Sequence, residues 1–157
     1  MKKSVALFVM LFSVVAFVAC GGENIKPTGN KVVDELNTRL STVTITGFPS
    51  GKETSSATWD IKLRIAAPVV KEVLPKVPGG WFLQVTGHSD AEGGITAENN
   101  YKLSDGRAMM VYDKLLKEYK IRDPKLTKKG VAGTMMSGKC GKYGACQRRV
   151  SFRIVPK

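Results

Sequence analysis

Histidine is nearly missing from this chain: His88 stands alone among 157 residues, and there are only three cysteines. With Cys20 set aside at the end of an apolar leader, one histidine and the pair Cys140 and Cys146 are too few ligands for a structural zinc site. Acids are also scarce, 13 Asp and Glu against 25 Lys and Arg. The formal charge is +12, or +10 without Lys2 and Lys3, which points to anionic partners such as nucleic acid, lipid head groups or an acidic polymer. Aromatic residues make up only 8% and do not interleave the basic runs, so the stacking surface of a nucleic-acid-binding sheet is not legible. No helix-turn-helix pattern is legible either. Many of the lysines (Lys117, Lys120, Lys125, Lys128, Lys129) read as solvated surface. The apolar run Val5–Ala19, broken only by Ser13, is shorter than the ~20 residues needed to span a bilayer.

That run has a targeting layout: a basic start at Lys2 and Lys3, an apolar middle, and small residues before Cys20. Phe17-Val18-Ala19-Cys20 resembles the lipobox of bacterial lipoproteins, with Phe17 where leucine is usual. The resemblance implies a signal peptide over 1–19 and a diacylglyceryl thioether on Cys20 with an acylated amino terminus. Two or more acyl chains anchor a protein stably, whereas one holds it reversibly. Export also argues against a nucleic-acid partner.

Residues 20–40 begin as a tether, since Gly21, Gly22, Pro27 and Gly29 discourage regular structure, with a short helix expected over Lys31–Leu40. Fully extended, that stretch reaches at most ~70 Å. The alternation in STVTITGF (41–48) predicts a strand. SATWDIKLRIAAPVVKEVL (56–74) has apolar residues at helical spacing, with Pro68 placed to kink the helix or sit in its first turn. WFLQVTG (81–87) predicts the next strand. Ala108, Val111, Tyr112, Leu115, Leu116 and Tyr119 then form one face of a long amphipathic helix. A short strand is expected within 125–134. In Arg148–Val155, Val150, Phe152 and Ile154 alternate inward against Ser151 and Arg153. This order predicts a two-layer α/β sandwich, βαβαββ, with a mixed sheet and helices on one face. Its last two strands are expected to form a hairpin. Cys140 and Cys146, at the tip of that hairpin in a Gly-rich loop, should close a small disulfide ring in an oxidising compartment, contributing roughly 2 kcal/mol.

The chemistry concentrates in GHSDAEGGITAENNYKLSDGRAMMV (87–111). His88, Ser89 and Asp90 end the second strand, and Arg107 lies in the first turns of the long helix, so an acid and a base face the crevice where α/β folds bind ligands. GHSDAEG, NYKLSDGRAMMV and QRRVSF together resemble the signature of the OmpA-like carboxy-terminal domain, over about residues 41–156. The resemblance implies a domain at 41–157 that binds peptidoglycan non-covalently through the diamino acid of the stem peptide. Asp90 would take the ligand's ammonium and Arg107 its carboxylate, while Ser89, Asn100, Leu103 and Arg148 or Arg149 would shape or line the pocket. Ser89 stands where the family has threonine, Gln147 where it has asparagine, and the loop before Asn100 is longer.

A zwitterionic head group needs one fixed acid and one fixed base, and arginine holds a carboxylate bidentately. Against this stand blander roles: Asp90 as a turn residue, Arg107 paired with Glu98 or Asp105, and His88 ordering the loop. Arg148 and Arg149 alternate on a strand, so at most one faces the crevice. A hydrolase built from His88, Ser89 and Asp90 is disfavoured because neighbours on a strand point to opposite faces. The pair Asp90 and Glu92 lacks the aromatic platform expected of a glycosidase. The expectation is a non-enzymatic, cofactor-free outer-membrane lipoprotein, its domain in the periplasm, tethering membrane to wall. The alternative is a surface-exposed adhesion or host-interaction lipoprotein on the same fold. The sequence does not name envelope protein partners.

Overall fold

A computed structural model of the chain describes residues 26–53, 57–94 and 96–157. The leader expected over 1–19 and the expected lipidation site Cys20 lie outside them.

The first helix, α1 (Lys31–Ser41), starts where the Asn30 side chain accepts from the Val33 amide at 3.2 Å. Its buried residues Val33, Asn37 and Leu40 recur at intervals of four and three, one helical face. Val33 and Leu40 are fully buried in the core, so this helix packs into the domain, although it falls within the stretch 20–40 expected as a tether.

Strand β1 is only Ile45–Thr46, much shorter than the alternation over 41–48 suggested. Helix α2 (Ala57–Val73) carries Pro68 in its interior rather than its first turn and tightens into a 3-10 turn at Leu74–Lys76. Strand β2 (Trp81–Gly87), helix α3 (Glu98–Lys117), strand β3 (Leu126–Gly130) and strand β4 (Arg149–Pro156) complete the order. A second 3-10 turn, Ala145–Gln147, precedes β4.

The sheet runs β1-β4-β2-β3. β4 is antiparallel to both β1 and β2, while β3 lies parallel to β2 at the far edge. The expected hairpin between the last two strands is therefore not formed. The connection from β3 instead carries the chain past β2, and β4 enters the middle of the sheet. The disulfide Cys140–Cys146 does close, within that irregular connection rather than at a hairpin tip.

Because β1 covers only Arg149 and Val150, β4 is left without a strand neighbour further along that side. The Asn37 amide fills the gap, accepting from the Ile154 N–H at 2.7 Å and donating to its carbonyl at 3.4 Å. A buried asparagine thus replaces a missing strand, as buried backbone polar groups require.

One face of the sheet presents Leu83, Val85, Val150, Phe152 and Ile154 to Trp59, Leu63, Val70, Val111 and Leu115 of the helices. Gly87 and Gly130 are paired across β2 and β3. A Cβ at Gly87 would lie 1.9 Å from the Ser104 carbonyl oxygen, and one at Gly130 would lie 2.4 Å from the Asp105 amide nitrogen. Two glycines at neighbouring strand ends therefore let α3 touch the sheet backbone, and this contact sets the depth at which Arg107 enters. No helix among the described residues is long and apolar enough to cross a membrane.

Gly87→Ala should force α3 off the sheet and lower unfolding free energy by about 3 kcal/mol, the upper range for overpacking. Urea titration followed by far-UV circular dichroism measures it, and an unchanged midpoint would contradict the close approach.

Candidate functional site

The motif at the end of β2 is pinned from both sides. The His88 amide donates to the Arg149 carbonyl at 2.9 Å and the Ser89 amide to the Ala132 carbonyl at 3.0 Å. The ladder thus continues past Gly87 and delivers Asp90 to the sheet's end. The Ala91 amide donates to the Lys142 carbonyl at 3.0 Å, which ties the loop to the disulfide ring. Asn100, near the start of α3, donates to the Glu92 and Gly94 carbonyls at 2.8 and 2.7 Å. Those two bonds fold the loop back on the helix, and Gly93 and Gly94 supply its positive φ angles of 78° and 108°.

Asp90 is buried and occupied: its Oδ2 accepts from Arg148 Nη1 at 2.8 Å, and its Oδ1 from the Glu92 amide at 3.4 Å. Arg148 also donates from Nε to the Phe48 carbonyl at 2.9 Å. Arg149 points elsewhere, donating to the Met135 carbonyl at 2.8 Å and lining a separate depression of about 430 Å³ beside Thr42–Thr46. Of the two arginines, Arg148 is the one at the motif.

Arg107 lies in the third turn of α3, deeper than the first turns, and is fully buried. Its Nη1 donates to the His88 carbonyl at 2.8 Å, its Nη2 to Pro49 at 3.1 Å and Lys52 at 3.0 Å, and its Nε to Lys52 at 3.2 Å. The guanidinium carbon sits 5.3 Å from the centre of the Phe48 ring. Neither Glu98 nor Asp105 is its partner: Glu98 holds Lys102 and Asp105 holds Lys128. Burial pulls the guanidinium down to about 10; Asp90 acts to raise it, Arg148 to lower it and Glu53 to raise it. It stays a cation at neutral pH, within the electrostatic reach of Asp90 but without a direct bond to it.

Above these groups lies a cleft of about 470 Å³. Asp90 and Glu92 line it from the loop after β2, Asn99, Asn100, Lys102 and Leu103 from α3, and Ser50, Gly51 and Glu53 from the segment after β1. Asn100, Leu103 and Asp90 thus line one cleft, whereas Ser89 and Arg107 are buried and neither they nor Arg148 and Arg149 are among its lining residues. The 49–53 segment carries no signal in the sequence pattern, and Glu92, though inside the GHSDAEG motif, suggests only a glycosidase acid there. Ser50 donates to Glu92 Oε2 at 2.6 Å across a sequence gap that local reading does not bridge. Gln147 does not face the cleft. Its buried amide accepts from the Ser137 N–H at 2.8 Å and donates to the Ser137 and Cys140 carbonyls at 3.0 Å each, ordering the disulfide loop. Among the described residues, no cluster of His, Cys, Asp and Glu is arranged to hold a metal.

The mixed four-stranded sheet with its helices on one face is the architecture of OmpA-like domains. No family model and no curated protein matches the chain. Among solved structures, it is similar to the OmpA-like domain of FopA1 from Francisella tularensis: 23% identity, TM-score 0.52, covering 71% of this chain and 70% of that one. It is also similar to the C-terminal domain of MotB from Helicobacter pylori, at 16% identity and TM-score 0.52, over 73% of this chain and 84% of the other. The chain therefore has the OmpA-like fold.

His88 is fully buried, and its Nε2 is 2.8 Å from Ser151 Oγ. Burial first, then the charges of Arg149 and Arg153, hold its imidazole well below the ordinary 6.5, against a hydrogen bond with the Met135 backbone. The unfolded chain protonates His88 at a pH where the folded protein does not. This stabilising contribution is complete above about pH 6.5 and is lost as pH falls below it, by at most about 1.4 kcal/mol per unit. Urea midpoints at pH 7.5, 6.5 and 5.5 should fall in the wild type and fall less steeply in His88→Asn. Parallel slopes would remove His88 as the cause.

Proposed function

We propose that this protein binds peptidoglycan non-covalently through the amine-bearing residue of the stem peptide, and that it is held at the outer membrane by lipid on Cys20. The observation that carries the binding reading is the state of the two motif charges. Asp90 is closed by a guanidinium, a stand-in for a ligand ammonium, and Arg107 by carbonyl oxygens, stand-ins for the oxygen of a ligand carboxyl group. Each motif residue is already matched to the chemistry assigned to it. Arg148 and the Pro49–Lys52 segment are the groups a ligand would displace.

In this reading Asp90 takes the ammonium and Arg107 the adjoining carboxyl oxygen. Asn100 and Leu103 shape the α3 wall, Arg148 hands Asp90 over, and Ser89 supports the loop from beneath. Charge-assisted hydrogen bonds contribute roughly 1.5–3 kcal/mol each, which gives moderate affinity per site. A tethered protein in many copies on one polymer needs no more. With α1 packed into the domain, the available tether is 20–30, at most about 40 Å when fully extended. The domain would then sit in the periplasm close to its membrane, joining it to the wall.

Two experiments test this. Full-length protein in detergent should cosediment with purified sacculi without releasing soluble fragments, and Asp90→Asn should weaken that binding at least about tenfold. Arg107→Lys should weaken it too, but with a lower melting temperature, because it also loses carbonyl bonds. Undiminished cosedimentation of Asp90→Asn would end the reading. In cells, radiolabelled palmitate should enter the wild type and not Cys20→Ser; equal labelling of both would remove the anchor.

A further inference from the structure

Resting on the proposed peptidoglycan reading, we infer that the depression of about 430 Å³ beside Thr42–Thr46 is a second wall-binding site. It takes a free carboxylate of the polymer, in addition to the group held at Asp90 and Arg107. The inference comes from the charge of the depression, its construction and its place in the fold. Lys62, Lys139 and Arg149 line it with the hydroxyl-bearing Thr44, Thr46 and Ser137, and no Asp or Glu is among its described lining residues. Three cations around one small concavity focus a positive potential, which favours an anion.

The floor of the depression is firmly constructed. Arg149 is only 3% exposed, and its guanidinium donates to the Met135 carbonyl at 2.8 Å and to the Gln147 side-chain oxygen at 3.2 Å. The same oxygen accepts from the Ser137 amide at 2.8 Å, while the Gln147 side-chain nitrogen donates to the Cys140 carbonyl at 3.0 Å. One buried amide therefore fixes both Arg149 and the wall beside the disulfide that carries Lys139. From α2, Lys62 donates to the Thr46 hydroxyl, which holds its ammonium at the end of β1. Among the described residues, neither Lys62 nor Lys139 is in an ion pair.

Position favours the wall polymer over the membrane as the source of that anion. Asn37 meets Ile154 whereas Ile45 pairs with Val150, so the chain from α1 advances along β4 toward the end that carries the motif. The amino end of α1, where the tether joins, therefore lies toward the other end of the sheet. The depression, with Arg149 and Thr46, lies at the motif end. Arg148 and Arg149 are consecutive, and the chain turns one toward Asp90 and the other into the depression. A polymer lying across the start of β4 meets both sites, and two moderate contacts on one polymer reinforce each other.

The test is cosedimentation of full-length protein in detergent with purified sacculi, at low and at high salt. Lys62→Gln combined with Lys139→Gln should weaken binding at least about fivefold at low salt, the scale of two partly exposed charge contacts. The loss should shrink at high salt, where such contacts are screened. Lys62→Arg combined with Lys139→Arg should keep most of the binding, since both charges remain. Undiminished binding of the Gln variant overturns the inference, and wild-type binding then leaves the peptidoglycan reading standing. A loss that the Arg variant shares marks a structural role and overturns it too. In nanodiscs, hydrogen exchange over 41–46 should be the same in phosphatidylcholine as in phosphatidylglycerol. Protection by the anionic lipid alone assigns the depression to the membrane and likewise overturns the inference. Failure of the wild type to bind sacculi removes the reading and the inference together.

Discussion

A buried guanidinium has to be surrounded by oxygen, and the site is organised around that demand. Arg107 is fully buried and collects carbonyls from His88 at the end of β2 and from Pro49 and Lys52 after β1. An unsatisfied charge at that depth costs several kcal/mol, so these separate stretches of chain must converge wherever the fold forms. Phe48 adds its ring face to the cation, and Arg148 ties the Phe48 carbonyl to Asp90. The cleft is thus the mouth of a continuous polar network whose lower half is structural.

That network depends on close backbone contact. Gly87 and Gly130 admit α3 to the sheet, Ser104 then accepts from the Ala132 amide at 2.9 Å, and the segment after β3 is fixed beside the motif. On the far side, Gln147 orders the disulfide loop, whose Lys142 carbonyl holds Ala91. The proposed binding groups and the groups that hold the fold therefore share atoms. Arg107 lies at the buried end of this network, whereas Asp90, Glu53 and Glu92 line its mouth.

Much of the secondary structure was legible because helices and strands write their periods locally. The α3 stripe and the β4 alternation both appear where expected, although Ser151 is buried because it meets His88. β1 is shorter than its pattern suggests: β-branched residues at 41–44 fit a strand, but only two positions find a partner on β4. The last pairing departs from the expected hairpin for a related reason. A strand's own pattern does not record its neighbour, and a connection long enough to hold the disulfide ring is long enough to cross the sheet. Gly and Pro before helix α1 suggest a leash, yet Val33 and Leu40 enter the core.

The sequence by itself determined the fold class and singled out Asp90, Asn100 and Leu103, which share one cleft, because residue type and spacing survive in one dimension. It could not choose between Arg148 and Arg149, since strand alternation says that they differ but not which way the sheet turns. Nor could it show that Arg107 would be covered by the 49–53 segment, or that Glu53 and Glu92 would share a wall with Asp90. Those are long-range contacts set by the packing of α3 against β2 and β3, and only the tertiary structure decides them.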